Sequence, residues 1–250
     1  MNIFRTAVFV AALAGLAAGI VMTALQTFYT VPLILQAETF ENTGAAHDHT
    51  APAGGASDPA PVALDAAHAH DEESWAPADG IERTAFTILA NIVTGMGFAL
   101  VLAVGSELAG GVLGWRQGLF WGFAGFAVFT LAPGLGLPPE LPAMPAADLA
   151  ARQIWWIATV VATAAGLWLI VFRRSALFAL LGVALIVAPH MVGAPQPVSH
   201  ESPVPADLHH RFVVAVTMSN LVFWMLLGAA IGVIRPRFAS APAESQSSPA

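Results

Sequence analysis

Apolar residues along this chain gather into six runs separated by polar breaks. The runs are Phe4–Tyr29, Ala85–Gly105, Gly118–Leu137, Ile154–Phe172, Ala176–Pro189 and Phe212–Ile234. A helix needs about 20 residues to cross about 30 Å of hydrocarbon. Five of the runs are of that order. The fifth in sequence is shorter, and taken alone it also suits a re-entrant or interfacial piece. A membrane barrel would need alternating strands of about ten residues, and these runs do not alternate. The pattern predicts an all-α, polytopic integral membrane bundle of about six transmembrane helices, the fifth short. It divides the chain into a first helix over 1–36, an extracytoplasmic loop over 37–83, a five-helix membrane bundle over 84–237 and a disordered cytoplasmic tail over 238–250. The first run also has features of a cleaved signal peptide, with Arg5 at its start and small residues at Ala14, Ala17 and Ala18. Its apolar character continues toward Leu33–Leu35, further than a signal core needs.

Polar residues inside the runs fall on single helical faces. Thr23, Gln26, Thr27 and Thr30 share a face of the first run, and Thr87, Asn91 and Thr94 a face of the second. Arg152, Thr159 and Thr163 do so in the fourth, Thr217 and Asn220 in the sixth. Within a bilayer such groups turn toward protein or water. They serve either as glue between helices or as the lining of a pathway, for which Gln26, Asn91 and Asn220 are candidates. Gly15-x-x-x-Gly19, Gly118-x-x-x-Gly122 and Gly228-x-x-x-Gly232 suit close helix packing. The third and fifth runs end on Ala132-Pro133-Gly134 and Pro189-His190-Met191-Val192-Gly193. Proline and glycine there are expected to break the helix and leave carbonyls open to a cation at the negative end of the helix dipole. Simple helix termination is the alternative.

Composition agrees with a membrane body: 57% of residues are hydrophobic and 10% charged, against about 25% charged in soluble domains. Every basic residue other than His is Arg. With six spans and the amino terminus inside, Arg5, Arg116, Arg173, Arg174, Arg235 and Arg237 lie inside. Only Arg83, Arg152 and Arg211 lie outside. That asymmetry follows the positive-inside rule and puts both termini in the cytoplasm. Of the acids, only Glu107 and Glu244 then fall inside, and all His fall outside. Glu107 reads as a solvated inner-loop charge.

The outer polar stretch Glu38–Glu82 carries two His-x-His pairs. One is His47-Asp48-His49; the other, His68-Ala69-His70, runs into Asp71-Glu72-Glu73. Imidazole and carboxylate together suit Co(II), Ni(II) or Zn(II). The chain has no Cys, which excludes thiolate sites, iron–sulfur clusters and disulfides. Residues between His49 and Ala67 are rich in Ala, Pro and Gly and read as a flexible tether. Ordering such a loop costs entropy, so it suits weak, exchangeable capture; a low-complexity linker without metal is the alternative. A second group, His190, His200, His209 and His210, brackets one short outer loop, with Glu201 beside His200. Glu140 and Asp148 face the same compartment. These residues are expected to converge as a mouth site above the bundle.

Four strings carry a family likeness. They are Ala24-Leu25-Gln26 with Val31 to Glu38; Gly125-Phe126 with Leu131 to Pro142; Ala151-Arg152-Gln153-Ile154-Trp155-Trp156 with Thr159 and Thr163; and Pro189 to Pro195. Together, and in this order, they resemble the CbtA family of predicted cobalt transporter subunits. Pro138-Pro139-Glu140-Leu141-Pro142 and Arg152-Gln153-Ile154-Trp155-Trp156 are the specific strings. The resemblance implies cobalt uptake across the bacterial cytoplasmic membrane, supplying cobalamin synthesis. It also implies a small single-span partner with a His-bearing tail, CbtB. Co(II) would be cargo, with Ni(II) or Zn(II) possible in its place. No permanently bound cofactor and no nucleic-acid partner are expected. There is no G-x-x-x-x-G-K-[ST] string and no Lys to complete one.

Two other classes remain open. One is a metal-sensing or scaffold subunit that binds the ion without moving it. The other is a membrane enzyme or haem-type redox subunit using His190, His209 and His210. Haem held between helices wants His buried in facing spans, whereas every His here lies at an edge or outside, so the chain reads as no enzyme. Reporter fusions test the threading. Fusions after Arg174 and after Arg237 should read as cytoplasmic, and one near Ser199 as periplasmic. A periplasmic signal after Arg237 would exclude six spans.

Overall fold

The computed structural model of this chain describes residues 3–46, 77–78 and 80–239. His47, His49, His68 and His70 lie outside the described residues, as does the tail from 240 onward. Among the described residues there is no strand. The helices are α1 (Ile3–Leu25), α2 (Val31–Ala46), α3 (Ile81–Glu107), α4 (Trp115–Phe126), α5 (Ala132–Gly136), α6 (Leu149–Phe172), α7 (Ala176–Val192) and α8 (Ala206–Ala239). Two π-helical turns, Gln26–Thr30 and Ala127–Leu131, join α1 to α2 and α4 to α5 without a break. The result is six rods, a helical membrane bundle. Five are long and apolar enough to cross a bilayer. The remaining one, the fifth rod α7, has 17 residues, about 25 Å at 1.5 Å per residue.

The π turns change two expected boundaries. The first rod passes the boundary expected at residue 36 and continues to Ala46. The third rod does not break at Pro133 but continues to Gly136. Proline lacks an N–H, and its ring collides with the carbonyl four residues back. Here the turn before each proline widens instead. The N–H of Val31 bonds to the Gln26 carbonyl, and that of Ala132 to the Ala127 carbonyl. These are bonds across five residues, the mark of a π turn. Pro32 and Pro133 follow directly and stay inside their rods.

Glycines weld the rods in antiparallel pairs. Gly15 lies on the Gly95–Met96 backbone, Gly19 on Asn91–Ile92, and Gly118 and Gly122 on Gly228 and Gly232. All three expected small-residue patterns thus form contacts. Gly166 and Gly182 weld α6 to α7 in the same way. Between them α1, α3, α4 and α8 enclose a core that includes Val10, Ala14, Leu102, Phe126, Leu227 and Ile231. At its centre Trp224 stacks on Phe129, with ring centroids 5.5 Å apart, and packs on Phe98 at 4.7 Å. Its indole N–H donates to Thr130 Oγ1 at 3.2 Å.

At one end of this body Arg235 closes the connection between α3 and α4. Its guanidinium donates to Glu107 at 2.8 Å and to the Val112 carbonyl at 2.7 Å. Glu107 is exposed, as expected of an inner-loop charge, and it also pairs with Arg235. Gly111, at φ 78°, lies against the guanidinium, where a Cβ would collide with it.

The welds make a direct prediction for stability in detergent. Gly228→Val forces a side chain into the Gly118 and Gly122 backbones and should cost at least about 1–3 kcal/mol. Gly97→Ala meets nothing within 4 Å and should be neutral or gain up to about 1 kcal/mol of helix propensity. Equal thermal unfolding of the two variants would refute close glycine packing.

Candidate functional site

The opposite end of the bundle gathers the strings that the sequence singled out. Trp155, Thr159, Thr163 and Gly166 form the buried stripe of α6, as helical spacing requires. Trp155 occupies the space beside Gly136, where a Cβ would collide with its ring. Its indole N–H donates to the Pro189 carbonyl at 3.2 Å. The same ring stands edge-on to the His190 imidazole, centroids 5.7 Å apart at 74°. Next to it, Trp156 packs on Phe129 at 6.3 Å. One residue thus ties the ends of the third, fourth and fifth rods together.

Charged groups surround this node. Arg152 pairs with Glu140 at 3.1 Å, both half-buried. Asp148 caps α6 by accepting the Ala151 N–H at 2.8 Å, the usual task of Asp ahead of a helix. His209 Nε2 lies 3.1 Å from the Pro139 carbonyl oxygen, bringing the start of α8 onto the Pro138–Pro142 string. Arg83 pairs with Glu38 at 3.1 Å and ties α3 to α2. Beneath these contacts Leu33, Ala37, Leu141, Leu208 and Phe212 form a small apolar core. A cleft of about 480 Å³ opens between Leu137–Pro139 and the Arg152, Gln153 and Trp156 face of α6.

The expected site residues divide accordingly. His190 and His209 are half-buried with the partners just given, while His200 and His210 are exposed. Among the described residues, no three of His, Asp and Glu stand close enough together to hold a metal. His190, His200, His209 and His210 thus form no three-ligand cluster among themselves or with Glu140 and Asp148. At the proline strings, the carbonyls of the two prolines themselves are taken. The Pro189 carbonyl accepts from the Gly193 N–H as well as from Trp155, and α7 runs through Pro189 and His190 to Val192. The Pro133 carbonyl accepts from the Leu137 N–H at 2.8 Å.

Deeper in the bundle, the Asn91 amide donates to Thr23 Oγ1 at 3.0 Å and to Gln26 Oε1 at 2.6 Å. This polar junction joins α3 to the first rod where its π turn begins. Asn220 bonds within its own helix, to the Val216 carbonyl at 2.9 Å. Thr159 bonds back to the Trp155 carbonyl, and Thr163 Oγ1 is buried with no hydrogen-bond partner among the described residues. Three elements of the site went unread in the sequence: the indole of Trp155, the carbonyl of Pro139 and the Arg152–Glu140 pair. Trp155 does share the four-residue spacing of Thr159 and Thr163, a usable signal. A single backbone carbonyl leaves none.

Comparison with curated proteins and with solved structures yields no match. A family model described as "Probable cobalt transporter subunit (CbtA)" matches residues 4–235. The match runs from the first rod to the last and includes every element that builds this end of the bundle, so the chain belongs to the CbtA family of probable cobalt transporter subunits.

Proposed function

We propose that this chain carries Co(II) inward across a bacterial cytoplasmic membrane, with both termini cytoplasmic, and so supplies cobalamin synthesis. The observation that carries this reading is the family match over residues 4–235. A transporter subunit has partner subunits, and the partner proposed is a small single-span protein with a His-bearing tail, of the CbtB kind. Ni(II) and Zn(II) share the ligand chemistry of Co(II) and would compete with it.

The path begins at His47, His49, His68 and His70, which collect the ion from dilute solution. Half-buried His190 and His209 receive it at the end of the bundle, with His200 and His210 exposed beside them. It then passes the neutral oxygens of Gln26, Asn91 and Asn220. The sequences of the rods place no carboxylate along this interior stretch. Neutral dipoles hold a cation loosely, which favours passage over storage. Phe98, Phe129 and Trp224 pack together at the centre, so passage requires that packing to open. This same packing is the observation that favours the second reading, a sensor or scaffold that binds the ion and passes none.

Radiolabelled cobalt uptake by cells expressing the chain, with and without the single-span partner, separates the two. Label accumulating inside supports transport, whereas surface-bound label alone supports the sensor. Replacing all four loop His by Ala should reduce uptake at low cobalt and spare it at saturating cobalt. His190→Gln keeps polarity and volume but loses the imidazole. It should cut uptake at least tenfold at saturating cobalt while the protein still reaches the membrane. Normal transport by that variant would make His190 a packing residue against Trp155.

A further inference from the structure

We infer that the Pro139 carbonyl, the Glu140 carboxylate and the His209 imidazole form a divalent-cation site that Arg152 holds shut until an ion arrives. The inference deepens the uptake reading and rests on it for its role as an entrance. Its starting point is one distance. His209 Nε2 and the Pro139 carbonyl oxygen are 3.1 Å apart. Around a metal with bonds of about 2.1 Å, neighbouring ligand atoms stand about 3.0 Å apart in an octahedron and about 3.4 Å in a tetrahedron. The two donors therefore already hold a chelating separation.

The third donor belongs to the next residue. Glu140 is half-buried, and its carboxylate is occupied by the Arg152 guanidinium at 3.1 Å. Arg152 is a tethered monovalent cation standing where a mobile divalent one would bind. A half-buried carboxylate left without a partner is costly, so the pair is stable until a better cation replaces it. A compact divalent ion concentrates twice the charge and gains the imidazole and the carbonyl as well. Nitrogen beside oxygen donors selects the Co(II), Ni(II) and Zn(II) class over Mg(II) or Ca(II). The cleft beside Pro139 and Arg152 gives the displaced guanidinium somewhere to go and admits water to complete the coordination.

The proton balance is simple. Nε2 gives up its hydrogen on binding, and neutral imidazole carries it on Nδ1 instead. Only two of the donors are His, Asp or Glu side chains, which is why the site forms no three-residue cluster of those types. Binding also breaks the Arg152–Glu140 pair, a tie between α6 and the α5–α6 connection, and so links ion entry to movement of the α6–α7 pair.

The test uses the full chain in lipid nanodiscs, with His47, His49, His68 and His70 replaced by Ala to silence the loop. Co(II) alone is the probe, titrated by calorimetry and by its visible absorption. Arg152→Gln should bind Co(II) at least threefold more tightly than this background. Arg152→Lys, which keeps the cation, should bind within twofold of it. His209→Gln should weaken binding at least tenfold. The double variant Glu140→Gln with Arg152→Gln leaves no charge unpaired and should also weaken it tenfold. Equal or weaker binding by Arg152→Gln overturns the site, as does parental affinity in the double variant. Should Arg152→Gln fail to fold, the double variant decides alone. This binding pattern without uptake in cells would remove transport and leave the site. Normal uptake without tightening would do the reverse.

Discussion

Hydrocarbon offers no hydrogen bonds, so every backbone N–H and C=O inside a bilayer must find its partner within the protein. Pro32, Pro133 and Pro189 have to meet that demand, while the fourth proline of the rods, Pro236, stands between Arg235 and Arg237 in the last turns of α8. Pro32 and Pro133 are each preceded by a π turn, which widens the helix ahead of the ring while keeping the backbone bonded. Pro189 sits in the last turn of α7, where its own carbonyl still receives the Gly193 N–H and the Trp155 indole. No rod ends at a proline, and the Pro133 and Pro189 carbonyls both accept hydrogen bonds. The expectation that the helices break at these prolines failed because it treated proline as a stop signal. In water, the freed groups would find solvent. Within a membrane the cheaper solution is a wider turn.

The same environment explains the division of labour among the helices. Lipid is as apolar as leucine, so helices associate through close packing and not through a hydrophobic drive. Backbone-to-backbone glycine contacts supply that packing for α1 with α3, α4 with α8, and α6 with α7. The first two pairs share the aromatic core around Trp224. The α6–α7 pair reaches the rest chiefly through the π turn and α5 of the third rod, with Trp155 and Trp156 as the fasteners. A rigid pair held at one end is well placed to respond to events at that end.

The apolar runs made six helices legible because twenty continuous apolar residues admit few other structures. Glycine spacing was legible for Gly118 and Gly228, where a repeat every four residues marks the contact face. Gly166 and Gly182 are single glycines in their helices, and only the pairing of α6 with α7 reveals them. Glu107 is exposed, as expected, but its partner Arg235 was not legible because it lies 128 residues away. Asp148 was read as a mouth carboxylate, though its place directly before α6 gives it a capping bond. Of the expected mouth residues, Glu140 lies in the Pro138–Pro142 string and pairs with Arg152, and His209 reaches the same string through the Pro139 carbonyl, a contact that no side-chain pattern records.

Among the described residues, charge is confined to the two ends of the rods. Arg83–Glu38 and Arg152–Glu140 stand at one end, Arg235–Glu107 at the other. Between them lie aromatic rings, glycine contacts and the amide junction of Gln26 and Asn91. A divalent ion entering that interior loses its water and gains only neutral dipoles, so the interior itself cannot draw it in. On the proposal made above the ends would, because a carboxylate there binds either its arginine or the ion, but not both at full strength. Exchange between those two partners converts the arrival of a cation into the release of a contact that holds helices together. In the site we propose, that conversion is what would let a bundle with an uncharged middle respond to an ion, and it depends on the arginine being tethered while the ion is free to leave.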